Sequence, residues 1–438
     1  MAKKLTYFII AGLVLGILVG WILNVSLGGG TPEGDAQLKT VAGYISILTT
    51  IFLHLIKMII APLVFSTLVV GIAHMGDSAA LGRVGAKAVG WFLAASIISL
   101  SLGLLLVTIF QPGVGLGLPL PPVDATVGVD RSAFDFAKFI AHIFPESMIG
   151  AMAENNILQI VVFSLFVGVA ILAVGEPAQP LVRATEALVK VMLQITDYVM
   201  RFAPIAVFAA VTATVAQRGL GILATFGYFM GSFYIGLIIL WALLIGVCFL
   251  IVGARTGMLV RYIRDPIVLA FSTASSEAAY PRTLEALDRF GVPPRIASFV
   301  LPLGYSFNLD GSMMYMTFAT IFVAQAYGID LSLGTQILML LTLMITSKGV
   351  AGVPRASLVV ITATLAQFNI PEAGLLLILA VDHFLDMGRS ATNVVGNAVA
   401  SVVVAKWEGQ LDPPEPVDIE PPHAPAHVAP PVPGNEPF

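Results

Sequence analysis

The segment VDHFLDMGRSATNVVGN, residues 381–397, is strongly polar within an otherwise apolar region near the C-terminus. Its charged and amide side chains recur at helical spacing: Asp382, Asp386, Arg389, Asn393 and Asn397. At roughly 100° per residue they fall within about 80° on one face of a helix, with Ser390 at the edge. A charge inside a bilayer costs on the order of several kcal/mol unless it is paired or hydrated. This face must therefore meet protein or a water-filled cavity.

The residue types on this face suit a zwitterion that carries an additional acidic group. The planar guanidinium of Arg389 can bind a carboxylate through two parallel hydrogen bonds. The carboxylate of Asp386 can meet an ammonium group, and the asparagines offer amides and neutral oxygens for a second carboxylate or a cation. A simpler alternative is that Asp386 and Arg389 only neutralise each other, but such a pair does not require the asparagines.

The composition indicates that a membrane surrounds the elements that carry these residues. The chain has 438 residues, of which 58% are hydrophobic and 11% charged, and its mean hydropathy is +0.93. Soluble domains contain roughly a quarter charged residues. The net charge of −4 argues against a nucleic-acid partner, and the one cysteine, Cys248, excludes a disulfide framework or a cysteine metal site.

Long apolar runs predict six membrane helices in the first part of the chain, at about 5–27, 41–74, 84–111, 155–175, 183–215 and 222–254. The second and fifth exceed the roughly 20 residues that a span needs, so we expect tilts or kinks, with Pro62 and Pro204 as candidate kinks. Lys3 and Lys4 predict a cytoplasmic N-terminus. The Pro-rich, acidic stretch from about Leu411 predicts a disordered tail.

Two later stretches, 258–290 and 333–368, each contain a short polar or Gly-rich segment between two apolar halves. Each half is too short to span a bilayer. Irregular backbone at membrane depth is tolerated where it is buried in protein or lines a cavity. We therefore predict two re-entrant helical hairpins, each followed by one full helix, at about 293–326 and 371–407. The alternative is ordinary helices interrupted by loops outside the membrane. A pair of broken segments is typical of inverted-repeat secondary transporters.

The helix before the second hairpin contains the sequence GYSFNLDGSMMYM, residues 304–316. Asn308 and Asp310 stand two residues apart, a spacing that does not form one helical face, so local unwinding is expected here. Unwound carbonyls and an aspartate suit a small hard cation. The alternative is a kinked packing helix in which Asp310 is buried and bonded to backbone.

These motifs resemble the glutamate transporter homologue family, the dicarboxylate/amino acid:cation symporters. The resemblance rests on FNLDGS, STASSEAAYP, KGVAGVPRAS, DMGRSATNVVGN and ENNILQIVVFSLFVG, and it extends to about Gln410. It implies an all-α polytopic membrane protein with eight transmembrane helices and two re-entrant hairpins, built from inverted repeats. It further implies a homotrimer in which helices one, two, four and five form a scaffold. A mobile transport domain, containing helices three, six, seven and eight and both hairpins, moves by an elevator mechanism.

The resemblance divides the chain at three places. Residues 1–254 hold the six N-terminal helices, residues 255–410 the transport core of both hairpins with helices seven and eight, and residues 411–438 the tail. It also implies a multi-pass protein of a bacterial-type inner membrane with both termini cytoplasmic, in contact with lipid. No enzymatic activity and no cofactor other than the coupling H⁺ or Na⁺ is implied.

Individual roles follow from the matched motifs. Arg389 would bind the side-chain carboxylate of the substrate, Asp386 would bind its α-ammonium, and Asp382 would orient Arg389. The other substrate-binding candidates are Asn393, Ser390, Ser312, the backbone of Ala274, Ser275 and Ser276, and Val353. The gate candidates in the second hairpin are Gly349, Gly352, Pro354 and Arg355. The candidates for cation or proton coupling are Gly304, Ser306, Asn308, Asp310, Asn397, Ser96 and Glu277, with a possible Na⁺ at Asn308 and Asp310.

Asp386 favours aspartate or glutamate as substrate over succinate, malate or fumarate. The C4-dicarboxylate branch of the family lacks an aspartate here, because its substrates have no ammonium to pair. Arg389 argues against neutral amino acids, which would leave its guanidinium without a partner. Arg355 is the feature that argues the other way, since an added cation near the gate could help to bind a dicarboxylate, or it could pair with Glu277 or with lipid.

Coupling to protons is favoured over coupling to sodium, which remains the alternative. Sodium-coupled members have an aspartate where this chain has Asn397, and a tyrosine and a threonine where it has Phe92 and Ala95, so that Ser96 alone keeps a hydroxyl. Loss of hydroxyl ligands and of a formal charge weakens a hard-cation site. Glu277 is a candidate proton carrier if burial keeps its carboxyl protonated, or else an exposed tip residue or a partner of Arg355.

Two other classes of membrane protein fit less well. An intramembrane enzyme would need a metal-binding His/Glu spacing, a G-x-S-x-G motif or a serine–lysine dyad, and none stands out in the sequence. A dedicated channel would not need the zwitterion site formed by Asp386 and Arg389.

Overall fold

The computed structural model describes residues 2–28, 30–73, 78–115, 120–121, 136–220, 226–347, 356–379 and 381–414. Throughout these ranges the regular elements are helical. The first half contains α1 (Ala2–Ser26), α2 (Pro32–Ala73), α3 (Ser78–Phe110), α4 (Phe136–Ile143), α5 (Met148–Ala153), α6 (Ile157–Val174), α7 (Gln179–Met200), α8 (Ala203–Arg218) and α9 (Gly227–Val252). The second half contains α10 (Thr256–Thr273), α11 (Tyr280–Phe290), α12 (Pro294–Phe307), α13 (Asp310–Ala326), α14 (Leu333–Thr346), α15 (Ala356–Gln367), α16 (Leu375–Leu379) and α17 (Asp382–Trp407).

Several of these helices have the length and composition of membrane spans. Five pass that test within the described residues, and a sixth is obtained if the bent pair Glu176–Met200 and Ala203–Arg218 is counted as one span. The pair is bent by 50°, directly before Pro204, which lies in the first turn of α8. A proline is tolerated there because its missing N–H would lack a helical partner anyway. The predicted kink near Pro204 is thus confirmed, whereas α2 continues as helix through Pro62.

The first helix is seated tightly on α8 through a row of glycines. A Cβ at Gly12 would lie 2.6 Å from the carbonyl oxygen of Pro204, and one at Gly16 would lie 2.9 Å from that of Phe208. Small residues let membrane helices approach until side-chain methyl groups would collide with the neighbouring backbone. α1, α2 and α8 therefore form one packed group, which does not include the polar segment around Arg389.

The first predicted hairpin has the expected break. α10 ends at Thr273, and Ala274 adopts a left-handed conformation with φ of 48°. After a short 3₁₀ turn from Glu277 to Ala279, α11 begins at Tyr280 and packs back against α10. The second hairpin is described as α14 and α15, while its tip, with Lys348, Gly349, Gly352, Val353, Pro354 and Arg355, lies outside the described residues.

The two full helices predicted after the hairpins are both interrupted. The predicted unwinding around Asn308 is confirmed, because α12 ends at Phe307 and α13 begins at Asp310. The single helix predicted over 371–407 is wrong: a 3₁₀ turn and the short α16 precede α17, which begins at Asp382. The first charged residue of the polar face thus lies in the first helical turn, where the exposed N–H groups favour a negative charge.

The chain leaves α17 as a strap, residues 408–414, across neighbouring helices. Glu408, whose side chain is 5% exposed, lies 2.7 Å from the Nζ of Lys87 on α3. The N–H of Asp412 donates to the carbonyl of Gly291 at 2.9 Å, and Arg255 donates to the carbonyl of Asp412. The strap therefore connects α3, the start of α10, the end of α11 and α17. Residues 415–438 lie outside the described part.

Candidate functional site

Arg389 lies buried at the centre of the polar face of α17. Its Nη2 is 2.8 Å from Asp386 Oδ1 and 3.2 Å from Asp382 Oδ1, and the residue is 2% exposed. The guanidinium carbon lies 3.9 Å from the ring centroid of Tyr315, which belongs to α13. The structure thus confirms that the periodic residues Asp382, Asp386 and Arg389 form one cluster, and it adds an aromatic face that favours a cation.

Asp382 has the orienting geometry that was expected of it. Its Oδ1 accepts a hydrogen bond from the hydroxyl of Tyr315 at 2.9 Å as well as from Arg389. Tyr315 was not singled out from the sequence. Its position three residues after Ser312, on the same face of α13, is a spacing that could have identified it.

The two sides of the Arg389–Asp386 pair differ in access. The Asp386 side chain is 35% exposed, while that of Arg389 is 3% exposed. Nε and Nη1 of Arg389 are buried and have no hydrogen-bond partner among the described residues. A buried donor without a partner costs on the order of 1–3 kcal/mol. Nε and Nη1 of Arg389 are therefore already desolvated before an anionic ligand binds to them. Such a ligand can also reach the more exposed carboxylate of Asp386.

Asn393 joins α17 to the start of α13. Its Oδ1 accepts from the N–H of Gly311 at 2.9 Å and of Ser312 at 3.4 Å, and its Nδ2 donates to the hydroxyl of Ser312 at 3.2 Å. A Cβ at Gly311 would lie 2.6 Å from the carbonyl oxygen of Arg389, so the two helices touch here. Asn393 therefore caps α13, and one amide hydrogen remains for a substrate. Ser390 is buried beside Arg389.

A second polar cluster surrounds the break between α12 and α13. Nδ2 of Asn308 donates to Asp310 Oδ2 at 3.0 Å and to Asn397 Oδ1 at 3.3 Å, and these three residues are 0% exposed. Cβ atoms at Gly304 and Gly396 would lie 2.3 Å from Asn397 Oδ1 and 1.9 Å from Asp310 Oδ2. Only glycine allows the three helices to meet around this cluster.

The donor set of this cluster partly fits a small cation. Oδ1 of Asn308 and the hydroxyl of Ser306 are buried oxygens without a hydrogen-bond partner in the described part of the chain, and they suit a hard cation beside Asp310. Nδ2 of Asn397 is also buried without a partner there, and an N–H group repels a cation. The residues that would hold Na⁺ are therefore Asn308, Asp310 and Ser306, whereas Asn397 weakens the site.

The third helix contributes a residue that was not predicted. Ser96 is buried on α3, and the hydroxyl of Ser99, one turn later, donates to Asp310 Oδ1 at 3.1 Å. Phe92 is also buried, and its ring tip lies 3.6 Å from a Cβ placed on Gly304. Hydrocarbon therefore occupies one side of the cluster, and Ser99 supplies the hydroxyl on the other. The spacing of three between the two serines was the available signal.

The turn between α10 and α11 is held by one backbone hydrogen bond of its own and by one side chain of α12. The N–H of Ser275 donates to the carbonyl of Ala270 at 3.1 Å, and the hydroxyl of Tyr305 donates to the carbonyl of Ser276 at 3.0 Å. α10 itself packs along α17. The backbone at Ser275 and Ser276 is thus fixed to α10 and to α12, and the Ser276 carbonyl is already used.

Glu277 follows this tip and faces the N-terminal group of helices. It begins the 3₁₀ turn that packs on α2, and the positive charge of Lys57 on α2 acts on its carboxyl group. The partner proposed from the sequence, Arg355, lies outside the described residues. Lys57 is thus an electrostatic partner of Glu277 that sequence reasoning did not identify.

The model of the sodium:dicarboxylate symporter family matches residues 5–407 of the chain. The chain belongs to this family. Over 417 residues it is 41% identical to the proton/glutamate-aspartate symporter of Escherichia coli (strain K12), which covers 93% of this chain and 94% of the relative. It is 39% identical over 414 residues to the proton/sodium-glutamate symport protein of Bacillus caldotenax, covering 93% of this chain and 95% of the relative.

Relatives named C4-dicarboxylate transport proteins match the chain almost as well. The C4-dicarboxylate transport protein of Laribacter hongkongensis (strain HLHK9) is 37% identical over 415 residues, covering 94% of this chain and 91% of the relative. A difference between 41% and 37% does not separate the two kinds of symporter. Within the sodium:dicarboxylate symporter family, the substrate of this chain must therefore be argued from the residues of its site.

Proposed function

We propose that this protein is a secondary active symporter that takes up acidic amino acids, aspartate or glutamate, together with cations. The observation that carries the proposal is the pair of Arg389 and Asp386, 2.8 Å apart and unequally exposed. The two desolvated donors of Arg389 bind the side-chain carboxylate of the substrate. The accessible carboxylate of Asp386 binds the α-ammonium. Neutral amino acids lack the first of these groups, and dicarboxylates lack the second.

The runner-up is a C4-dicarboxylate:cation symporter. It is favoured by the relatives named C4-dicarboxylate transport proteins. Succinate would place a carboxylate near Asp386 in a site that already holds Asp382. Two like charges about 4 Å apart repel by roughly 1–4 kcal/mol at the dielectric of a partly exposed site. This repulsion makes acidic amino acids the better substrates.

Protons are favoured over sodium as the coupling ion, with sodium-coupled transport of acidic amino acids as the alternative. Support comes from Asn397, an amide beside Asp310, and from Phe92, which places hydrocarbon next to Gly304. The oxygens of Asn308 and Asp310 support the sodium alternative. The relatives include proteins named for protons and for protons with sodium.

The architecture we propose is that of the resemblance. Eight transmembrane helices and two re-entrant hairpins form inverted repeats, three chains form a homotrimer, and each transport domain moves separately by an elevator mechanism with the second hairpin as gate. The protein lies in a bacterial-type inner membrane with both termini cytoplasmic, surrounded by lipid. The interrupted pairs α10–α11 and α12–α13 support this arrangement, because broken helices of this kind carry the sites of inverted-repeat transporters.

The test is a competition panel in proteoliposomes that contain the full-length protein. Aspartate, glutamate, succinate, malate and fumarate compete with radiolabelled aspartate at two pH values, with and without sodium. We expect aspartate and glutamate to compete best, and uptake to follow an inward proton gradient without sodium. Counterflow distinguishes a carrier from a channel, since only a carrier is accelerated by substrate on the far side. Uptake of succinate with indifference to aspartate contradicts the substrate proposal, and uptake that needs sodium and ignores pH contradicts the coupling proposal.

A further inference from the structure

One face of α9 is hydrogen-bonded to α17, on the side of α17 away from its polar face. The hydroxyl of Tyr234 donates to the carbonyl of Phe384 at 2.5 Å. Two turns later, the indole N–H of Trp241 donates to the hydroxyl of Thr392 at 2.7 Å. Between these two bonds the helices touch, because a Cβ on Gly388 would lie 2.7 Å from a methyl carbon of Leu237 and 2.9 Å from the ring of Tyr234.

These contacts lie before and after the part of α17 that carries Asp386 and Arg389. Phe384, Gly388 and Thr392 are spaced by four residues and share one face, which at roughly 100° per residue lies about 140° from the polar face. Asp386 and Arg389 fall between the two bonded positions along the chain. The bond at this end, to the carbonyl of Phe384, precedes Asp386 by two residues on α17.

The position of Asp386 depends on this contact more than that of Arg389 does. Arg389 is also held by Asp382 and by the ring of Tyr315. Asp386 is paired with Arg389 of the same helix, and α17 begins only at Asp382, one turn before it. A small rotation of its first turns would therefore displace the Asp386 carboxylate relative to Arg389. Misplacement by about 1 Å can cost a binding or catalytic group most of its effect.

We propose that Tyr234 and Trp241 are positioning residues that fix the rotation of α17. They thereby hold Asp386 where it distinguishes acidic amino acids from dicarboxylates. The proposal rests on the function proposed above, because it takes Asp386 as the group that binds the ammonium. It assigns to α9 a part in substrate selection without contact with the substrate.

The first experiment removes one hydroxyl. In the purified full-length protein, dissociation constants for aspartate and succinate are measured by calorimetry for wild type and for Tyr234→Phe. The matched control is Tyr228→Phe, on the same helix, whose hydroxyl donates to the carbonyl of Phe110 on α3 at 2.6 Å. We expect Tyr234→Phe to weaken aspartate binding about 3- to 10-fold, the usual worth of one hydrogen bond, with less than about 2-fold change for succinate. The control is expected to change neither constant by more than about 2-fold.

The second experiment tests the other bond and does not depend on the first variant. Trp241→Phe and Thr392→Val each remove one partner, and Thr392→Ser keeps the hydroxyl. We expect both losses to lower the aspartate-to-succinate selectivity, the double variant to lose no more than one single variant, and Thr392→Ser to retain it. A purely structural role would instead change stability or both affinities alike, with additive effects.

The outcomes separate the two proposals. A wild type that binds only dicarboxylates overturns the proposed function and the positioning role together. A wild type that prefers aspartate, combined with unchanged selectivity in Tyr234→Phe and Trp241→Phe, overturns the positioning role alone. Equal weakening of aspartate and succinate, or an equal shift in Tyr228→Phe, also overturns it.

Discussion

Replacing Asp386 by asparagine tests the substrate proposal most directly, because the side chain keeps its shape and loses its charge. In the proposed binding mode, the α-ammonium of the substrate meets the carboxylate of Asp386, whose side chain is 35% exposed and lies 2.8 Å from Arg389. A hydrogen bond to a charged group contributes about 1.5–3 kcal/mol. Since 1.4 kcal/mol corresponds to tenfold, Asp386→Asn should weaken aspartate binding by about 10- to 150-fold.

The same substitution should act in the opposite direction on succinate. Removing the charge of Asp386 removes repulsion of about 1 kcal/mol or more, so succinate should bind several-fold more tightly, with Arg389 still paired to Asp382 at 3.2 Å. Both constants are measured by calorimetry, and initial uptake rates are measured in proteoliposomes.

The matched control for this substitution is Asp265→Asn. Asp265 lies on α10, is paired with the exposed Arg264 and is remote from the polar face of α17 in sequence. The control should change neither dissociation constant by more than about 2-fold, since exposed ion pairs contribute little. An Asp386→Asn protein that binds aspartate within about twofold of wild type, or that loses aspartate and succinate together, refutes the reasoning.

Three further results are expected. Gly396→Ala places a methyl group 1.9 Å from Asp310 Oδ2, and it should abolish uptake and lower the melting temperature by several degrees. Gly246→Ala, where the added Cβ meets open space, should change neither. Equal behaviour of the two variants contradicts the packing argument. Ser99→Ala removes a hydrogen-bond donor to Asp310. The midpoint of the proton or sodium dependence of uptake should shift about 3- to 10-fold, with little change in aspartate affinity at saturating coupling ion. An unchanged midpoint would show that Ser99 has no part in coupling. Truncation after residue 407 removes the strap with its buried Glu408 and should lower the melting temperature by several degrees, while truncation after residue 414 should not, as thermal unfolding of both proteins would show.

The features of the site that the sequence predicted correctly follow from the spacing of residues along the chain. The cluster of Asp382, Asp386 and Arg389 followed from 100° periodicity, because residues on one helix keep their angular relation wherever the helix lies. The break at Asn308 followed from polar residues at a spacing that no helical face accommodates. These predictions need no knowledge of neighbouring helices, and the structure confirms them.

What the sequence did not predict lies between helices. Tyr315 of α13 and Ser99 of α3 reach the polar clusters, whereas Tyr234 and Trp241 of α9 bond to the side of α17 away from its polar face. Periodicity does not relate residues on separate helices, so it did not pair these four with α17 or with Asp310. For two of them, Tyr315 and Ser99, a spacing of three from Ser312 and Ser96 was a signal that could have identified them. The break before Asp382 was missed for another reason. The run LLLILAV contains neither proline nor glycine, so it holds no residue that predicts the end of a helix.

The charges of the two clusters give a physical reason for cation coupling. Counted over four side chains of the two clusters, the formal charges of Asp310, Asp382 and Asp386 and of Arg389 leave a net of two negative charges before substrate binds. Aspartate adds one more. Moving one elementary charge through a membrane potential costs about 2.3 kcal/mol per 100 mV. One cation per aspartate restores the charge of the empty site, so that loaded and empty domains cross the membrane alike.

This balance makes the voltage dependence of transport a measure of stoichiometry. With one cation per aspartate, uptake should be electroneutral and should not respond to an inside-negative potential set by a potassium gradient and valinomycin. Each further cation should make uptake electrogenic, and should steepen the dependence of uptake on potential by one charge. Asp310→Asn removes one of the three carboxylates, so if Asp310 binds a coupling cation the variant should lose one charge of this dependence. An electrogenic wild type whose voltage dependence is unchanged in Asp310→Asn would exclude Asp310 as the residue that binds the additional cation.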